Sequence, residues 1–153
     1  CYNESIPEIE EIAERINKAS AEFFGKEVEI WVEPGRSLVS DAAVLVTSVI
    51  NRARRGKKEW LYLDSGVFHG LIETWESIGF EFPILTNKDG GRVEDFVLAG
   101  PTCDSGDVIS RRSSLPENLT LGDRLYFLNA EAYTNSIEVY NGIPFPEVLL
   151  SQE

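Results

Sequence analysis

From residue 42 onward the chain is written in short strand-like runs, and this pattern constrains the fold more than any other feature. The runs fall at 42–50, 59–63, 92–99, 107–112, 123–128 and 136–140 and are rich in Val, Ile, Leu, Tyr and Phe, residues that fit a pleated, half-buried surface. Gly, Asp, Asn and Pro separate them, as in Asp89-Gly90-Gly91, because these residues supply turn backbone. Many short strands with such punctuation predict an antiparallel sandwich or barrel. A short helix is expected near 67–78, where Leu71, Trp75 and Ile78 share a face. The sequence holds no internal repeat and no low-complexity segment.

The first 36 residues follow a different grammar. Ser5 with Glu8 three residues on reads as a capping box, and Ile9, Ile12, Ala13, Ile16, Ala19 and Phe23 keep helical spacing. A helix is expected over 5–24, ended by Gly25. Val28-Glu29-Ile30-Trp31-Val32 is expected as a strand and Pro34-Gly35 as a turn. One helix and one strand form an α/β unit that cannot close a sheet or a barrel by itself.

Charge and cysteine content narrow the function. The 153 residues carry a net charge of −12, which repels nucleic-acid phosphates. The basic run Arg52-Ala53-Arg54-Arg55-Gly56-Lys57-Lys58 is expected as a solvated turn. No apolar run is long enough to span a bilayer, so no membrane role is expected. Cys1 and Cys103 give no disulfide framework, which suits a reducing, cytoplasmic setting. His69 stands alone as the one histidine; it reads as structural, and no metal site is expected.

One loop concentrates the chemistry. Gly100-Pro101-Thr102-Cys103-Asp104-Ser105-Gly106-Asp107 follows the strand-like Asp95–Ala99. Gly and Pro mark it as a turn, and loops held at the end of rigid elements carry function disproportionately. On the residues alone it reads as a turn around a buried cysteine, since free Cys packs as a small hydrophobe.

The wording of that loop resembles the cysteine-aspartate loop of the ornithine decarboxylase family, pyridoxal-phosphate (PLP) amino-acid decarboxylases of the alanine-racemase-like fold. Three further segments are similar in the same order: Glu33-Pro34-Gly35-Arg36, Leu63-Asp64-Ser65-Gly66-Val67-Phe68, and Glu131-Ala132-Tyr133-Thr134 followed by Tyr140-Asn141-Gly142. The resemblance implies a mainly β (α+β) fold, a C-terminal Greek-key-like β barrel preceded by the last helix and strand of a (β/α) barrel. Residues 1–36 would be the tail of the N-terminal PLP-binding barrel, and residues 37–153 the β-barrel domain. The opening Cys1-Tyr2-Asn3 without an initiator Met fits one piece of a longer protein.

The resemblance also implies roles. Arg36 and Gly35 would hold the cofactor phosphate, a bidentate guanidinium beside a closely approaching backbone, with Tyr133 as a second phosphate ligand. Glu33 would partner the pyridine nitrogen. Cys103 would be the acid that protonates Cα, a thiol having its ordinary pKa near working pH. Asp104 and Asp64 would anchor the distal ammonium of a basic amino acid, and Tyr140 would line the substrate cavity, although its spacing from Tyr133 is about one residue shorter than the family pattern. Read without the family, Glu33 and Arg36 are a surface ion pair, Tyr133 is a core tyrosine and either Asp is a turn residue.

The resemblance implies that the lysine carrying PLP lies in the N-terminal barrel, the chain's first partner, and no lysine in this chain stands in an apolar strand. A homodimer with shared active sites is the second, and the chain alone is expected to be inert. The Cys103-Asp104 pair favours ornithine or lysine as substrate, on a route to polyamines. The alternatives are decarboxylation of diaminopimelate, arginine or carboxynorspermidine, and a non-catalytic regulatory homologue.

Overall fold

The structure is a computed structural model that describes residues 7–75, 79–137 and 139–151. It is mainly β. Six strands make one sheet: β1 (Leu45–Arg55), β2 (Lys58–Leu63), β3 (Ile84–Thr86), β4 (Val93–Ala99), β5 (Val108–Pro116) and β6 (Arg124–Phe127). Their order is β3-β6-β1-β2-β4-β5, curled into a nearly closed barrel. A separate hairpin joins β7 (Val139–Tyr140) to β8 (Ile143–Pro144).

The barrel curls because β1 serves two neighbours. Its first half pairs β6, from Leu45 opposite Phe127 to Ser48 opposite Arg124. Its second half pairs β2 through a register irregularity between Val49 and Asn51. An extra residue in one strand of a ladder bends it and raises its twist. The expected antiparallel arrangement needs one correction, since β2 and β4 run parallel, Glu59 opposite Phe96 through Tyr62 opposite Ala99. A parallel pair needs a long crossover. Residues 64–92 supply it, carrying β3 and a 3-10 turn at Ile72–Thr74.

Alternate residues of the strands fill the barrel. Leu61 and Leu63, Phe96 and Leu98, Ile109 and Leu115, and Leu125 and Phe127 all point inward, capped by Val67, Phe68 and Leu71 of the crossover. The helix expected over 67–78 is not continuous. Gly70 takes φ +113, a backbone state that ends a helix and favours glycine, and Ile78 lies outside the described residues.

The basic run is also corrected. It is the end of β1 and the start of β2, turned by Gly56 at φ +62. Arg52 is fixed within it, paired with Glu59 and Glu94 at 3.3 Å each. It also donates to the Glu117 and Leu119 carbonyls at 2.6 and 3.0 Å.

The first segment stands apart from this core. Helix α1 (Ile9–Phe23) buries none of its residues within this chain. Its N-cap is Glu8, which makes no side-chain cap, and Ser5 lies outside the described residues. The helix stops by stepping into extended backbone at Phe24 (φ −122, ψ 145) rather than through a left-handed Gly25. The expected strand at 28–32 has no ladder partner among the described residues, and Trp31 is 81% exposed. Extended backbone becomes a strand only where a neighbour accepts and donates its hydrogen bonds. Helix α2 (Arg36–Val39) then leads into the barrel.

Candidate active site

The 100–107 loop connects β4 to β5 and is stitched shut by its last residue. Asp107 is buried. Its main chain accepts Gly100 N at 2.9 Å and donates to the Asp104 carbonyl at 3.0 Å. Its Oδ1 accepts Val67 N at 2.8 Å, and Oδ2 accepts Thr102 N at 3.1 Å and Thr102 Oγ1 at 2.6 Å. One carboxylate thus joins the loop to the start of the crossover. A Cβ on Gly66 would stand 2.7 Å from Gly100 Cα, so only glycine allows that approach. The sequence reading left Asp107 without a role. The signal available was an Asp closing a Gly-Pro loop at a strand start.

Within this frame Cys103 is exposed and takes φ 62. That corrects the buried-cysteine reading of the loop, because a left-handed backbone at the loop tip turns the thiol outward. Asp104 follows it. Its Oδ1 accepts Gly106 N at 2.7 Å, and its Oδ2 accepts the Tyr140 hydroxyl at 2.7 Å. These bonds, the Gly106 amide first and Tyr140 second, hold the Asp104 carboxyl below the usual carboxylate range. The same contact pushes the Tyr140 hydroxyl up.

Tyr140 is seated by three features. Its ring stacks on Phe68 with centroids 4.0 Å apart. Its neighbour Asn141 donates to the Thr102 carbonyl at 3.1 Å. Its hairpin is held below by buried His69, whose Nε2 lies 3.0 Å from the Ile143 carbonyl. That acceptor assigns the hydrogen to Nε2.

A second cluster gathers Gly35, Arg36 and Tyr133 around one cavity of about 330 Å³. Tyr133 takes φ 64 in the turn 132–135 and is exposed. A Cβ at Gly35 would meet its hydroxyl at 3.3 Å. The Arg36 guanidinium lies 5.2 Å from the Tyr133 ring centroid and 5.5 Å from that of Phe80, and it pairs with Glu73. Burial lowers the Arg36 pKa, and Tyr133 partly opposes this. Glu73, which the sequence reading did not single out, comes from the 3-10 turn, and burial pushes its carboxyl up.

Two predicted site residues are not drawn into these clusters. Glu33 is exposed on the extended segment before the turn. Asp64 is exposed too and gives its Oδ1 to β1, accepting Thr47 Oγ1 at 2.5 Å and Ser48 N at 2.8 Å. No hydrogen bond joins Asp64 to Asp104. Among the described residues, no group of three His, Cys, Asp or Glu side chains could hold a metal. No helix among them is long and apolar enough to cross a membrane.

The chain is thus a small, mainly β barrel that presents a thiol–carboxylate loop and an arginine–tyrosine cavity. The chain belongs to the pyridoxal-dependent decarboxylases: the family's C-terminal sheet domain matches residues 16–130. It is 36% identical over 126 residues to a diaminopimelate decarboxylase of Archaeoglobus fulgidus, covering 80% of this chain and 29% of that protein. It is 31% identical over 145 residues to a lysine/ornithine decarboxylase of Selenomonas ruminantium, covering 92% and 35%. The crystal structure of a Vibrio vulnificus lysine/ornithine decarboxylase complexed with cadaverine superposes with a TM-score of 0.86 at 30% identity, over 100% of this chain and 42% of that one. The chain therefore spans about a third of the length of the curated relatives it matches.

Proposed function

We propose that this chain is the C-terminal part of a PLP-dependent decarboxylase of basic amino acids, with ornithine or lysine as substrate. The observation that carries this reading is the Gly100–Asp107 loop. It holds an outward thiol beside a carboxylate kept ionised by Gly106 and Tyr140. A fixed anion suits a distal ammonium, and an adjacent thiol suits delivery of a proton to a carbon.

The Gly35–Arg36–Tyr133 cavity fits the phosphate of PLP. Its donors are a guanidinium and a phenol, and a Cβ on Gly35 would stand 3.3 Å from that phenol's oxygen. Bound there, the cofactor would supply the electron sink that makes loss of CO2 feasible. Arg36 and Tyr133 would hold its phosphate, and Glu33 would partner its ring nitrogen from the turn beside them. Asp104 would anchor the substrate's distal ammonium, with Tyr140 fixing that carboxylate. Cys103 would give a proton to Cα after CO2 leaves. Residues 1–36 would complete an N-terminal (β/α) barrel that contributes the cofactor's lysine, and residues 37–153 form the β domain. Each site would draw on two subunits of a cytoplasmic homodimer.

The test uses the complete enzyme. Ornithine, lysine, diaminopimelate and arginine are compared by kcat/KM, the ratio that measures discrimination. The highest value is expected for ornithine or lysine. A preference for diaminopimelate would favour the second reading, which the Archaeoglobus fulgidus relative supports. Cys103→Ala is then mixed with a subunit lacking the cofactor's lysine. Shared sites restore about a quarter of wild-type sites by counting subunit pairings in a two-fold dimer. Zero recovery with subunit exchange demonstrated would mean that Cys103 serves its own subunit.

A further inference from the structure

The hairpin that carries Tyr140 does not hold its own position. Strands β7 and β8 are two residues each and lie outside the six-stranded sheet. Their rungs are Val139 opposite Pro144 and Tyr140 opposite Ile143, and Pro144 has no N–H to give to the first. Asn141 and Gly142, at φ 49 and 78, close the turn with the left-handed pair that a two-residue hairpin favours. An isolated two-stranded hairpin is at best marginally stable in water, so Tyr140 is placed from outside it.

The crossover places it through two consecutive residues. Phe68 stacks on the Tyr140 ring at 4.0 Å. His69 grips Ile143, the residue opposite Tyr140, with Nε2 at 3.0 Å from the carbonyl. Phe68 and His69 are both buried, and the backbone that presents them is fixed. Val67 N donates to Asp107, His69 N donates to the Gly66 carbonyl at 3.1 Å, and the His69 carbonyl accepts Ser65 Oγ at 2.6 Å. Gly70 follows at φ +113, where a Cβ would meet Leu45 at 3.2 Å. His69 Nδ1 is buried and meets no hydrogen-bond partner among the described residues. A buried polar atom left unpaired is destabilising, and an aliphatic side chain would fill the space without that loss. What the imidazole adds is the one Nε2 bond to the hairpin.

We propose that His69 is a positioning residue for substrate capture: by fixing Ile143 it keeps the Tyr140 hydroxyl on Asp104, and so keeps that carboxylate aimed at the distal ammonium. His69 acts through Tyr140 and touches no substrate. The proposal rests on the decarboxylase reading above.

The test compares complete wild-type enzyme with His69→Leu, His69→Asn, His69→Gln, Tyr140→Phe and the variant carrying both His69→Leu and Tyr140→Phe. Gln places an N–H as far out as Nε2, whereas Asn keeps the N–H but ends short of Ile143. Four quantities are read: kcat and KM for ornithine and lysine, calorimetric binding of 1,4-diaminobutane, Tm, and the fluorine resonance of Tyr140 in enzyme labelled with meta-fluorotyrosine, assigned by its loss in Tyr140→Phe. His69→Leu and His69→Asn should raise KM and the diamine Kd about threefold to tenfold, the scale of one hydrogen bond. Their kcat should stay within about twofold, the pattern of lost binding rather than lost chemistry, and the Tyr140 resonance should move. His69→Gln should bring KM, Kd and the resonance back toward wild type. Because His69 acts through Tyr140, the variant carrying both changes should bind the diamine within about twofold of Tyr140→Phe alone, a non-additive result. Additive losses would give His69 an action independent of Tyr140 and overturn the proposal. A lower Tm with KM, Kd and the resonance unchanged would reduce His69 to packing and overturn it too. If His69→Leu does not fold, His69→Asn against His69→Gln carries the comparison, and equal values for the two would overturn it. The two readings fail separately: wild-type enzyme that turns over no basic amino acid removes the decarboxylase assignment. A Tyr140 resonance unmoved in the His69 variants removes the role of His69 whatever the substrate.

Discussion

Removing the Asp107 carboxylate should loosen the loop that carries Cys103 and Asp104. In Asp107→Ala, Val67 N and Thr102 N lose their acceptor, and the Thr102 hydroxyl must find another. Both residues are buried, and each orphaned buried donor costs about 1–3 kcal/mol. Relief from burying a charge works against this, so the net loss is about 4 kcal/mol. Asp107→Asn keeps one acceptor oxygen and should lose about 2 kcal/mol. For a chain of this size 1 kcal/mol corresponds to about 2–4 °C in Tm. The alanine variant should therefore melt about 8–16 °C lower and the asparagine variant about 4–8 °C lower. Circular dichroism melting measures this, with exposed Asp89→Ala as a control expected near wild type. Reaction of Cys103 with a thiol reagent at 25 °C reports the loop directly and should change rate in the Asp107 variants alone. An alanine variant that melts within about 2 °C of wild type, under 1 kcal/mol by the same scale, would refute the argument.

Arg36→Ala in the complete enzyme should raise the PLP dissociation constant at least about tenfold, from loss of a charge-assisted phosphate contact of about 1.5–3 kcal/mol; titration of the apoenzyme reads it, and unaltered affinity would put the phosphate elsewhere. Tyr140→Phe should shift the acid limb of kcat/KM to higher pH. The Asp104 pKa is depressed in the fold, so its charge survives as pH falls through the ordinary carboxylate range and is lost only below it. Taking away the Tyr140 bond raises that pKa part of the way, because the Gly106 amide remains. A pH profile that superposes on wild type would mean that Asp104 titration does not limit substrate capture.

The strands were readable where β-branched and aromatic residues lie between turn residues, as in 59–63 and 92–99. They were unreadable where charge covers the outer face. Arg52, Arg54 and Arg55 continue β1 because their backbone pairs with β2, a fact their side chains conceal. The three residues of β3 are too few to show periodicity, and the parallel pairing of β2 with β4 is a choice of non-local neighbour that no local pattern encodes. At the candidate site, Cys103, Asp104, Arg36 and Tyr133 were found through ordered motifs. Asp107 and Glu73 were not, since a buried carboxylate is spelled like a solvated one and only its surroundings distinguish them.

The unpaired 28–32 segment has a consequence for handling the chain alone. Past Val28 N, which donates to the Gly25 carbonyl at 3.1 Å, it offers main-chain donors and acceptors without a ladder partner among the described residues, flanked by exposed Val28, Ile30, Trp31 and Val32, which is a template for a foreign strand. Self-association through that edge would compete with every measurement on the isolated chain and grow with concentration. Trp31, on this same edge, doubles as its sensor: its fluorescence would move to shorter wavelength whenever another surface covers the edge and removes the indole from water.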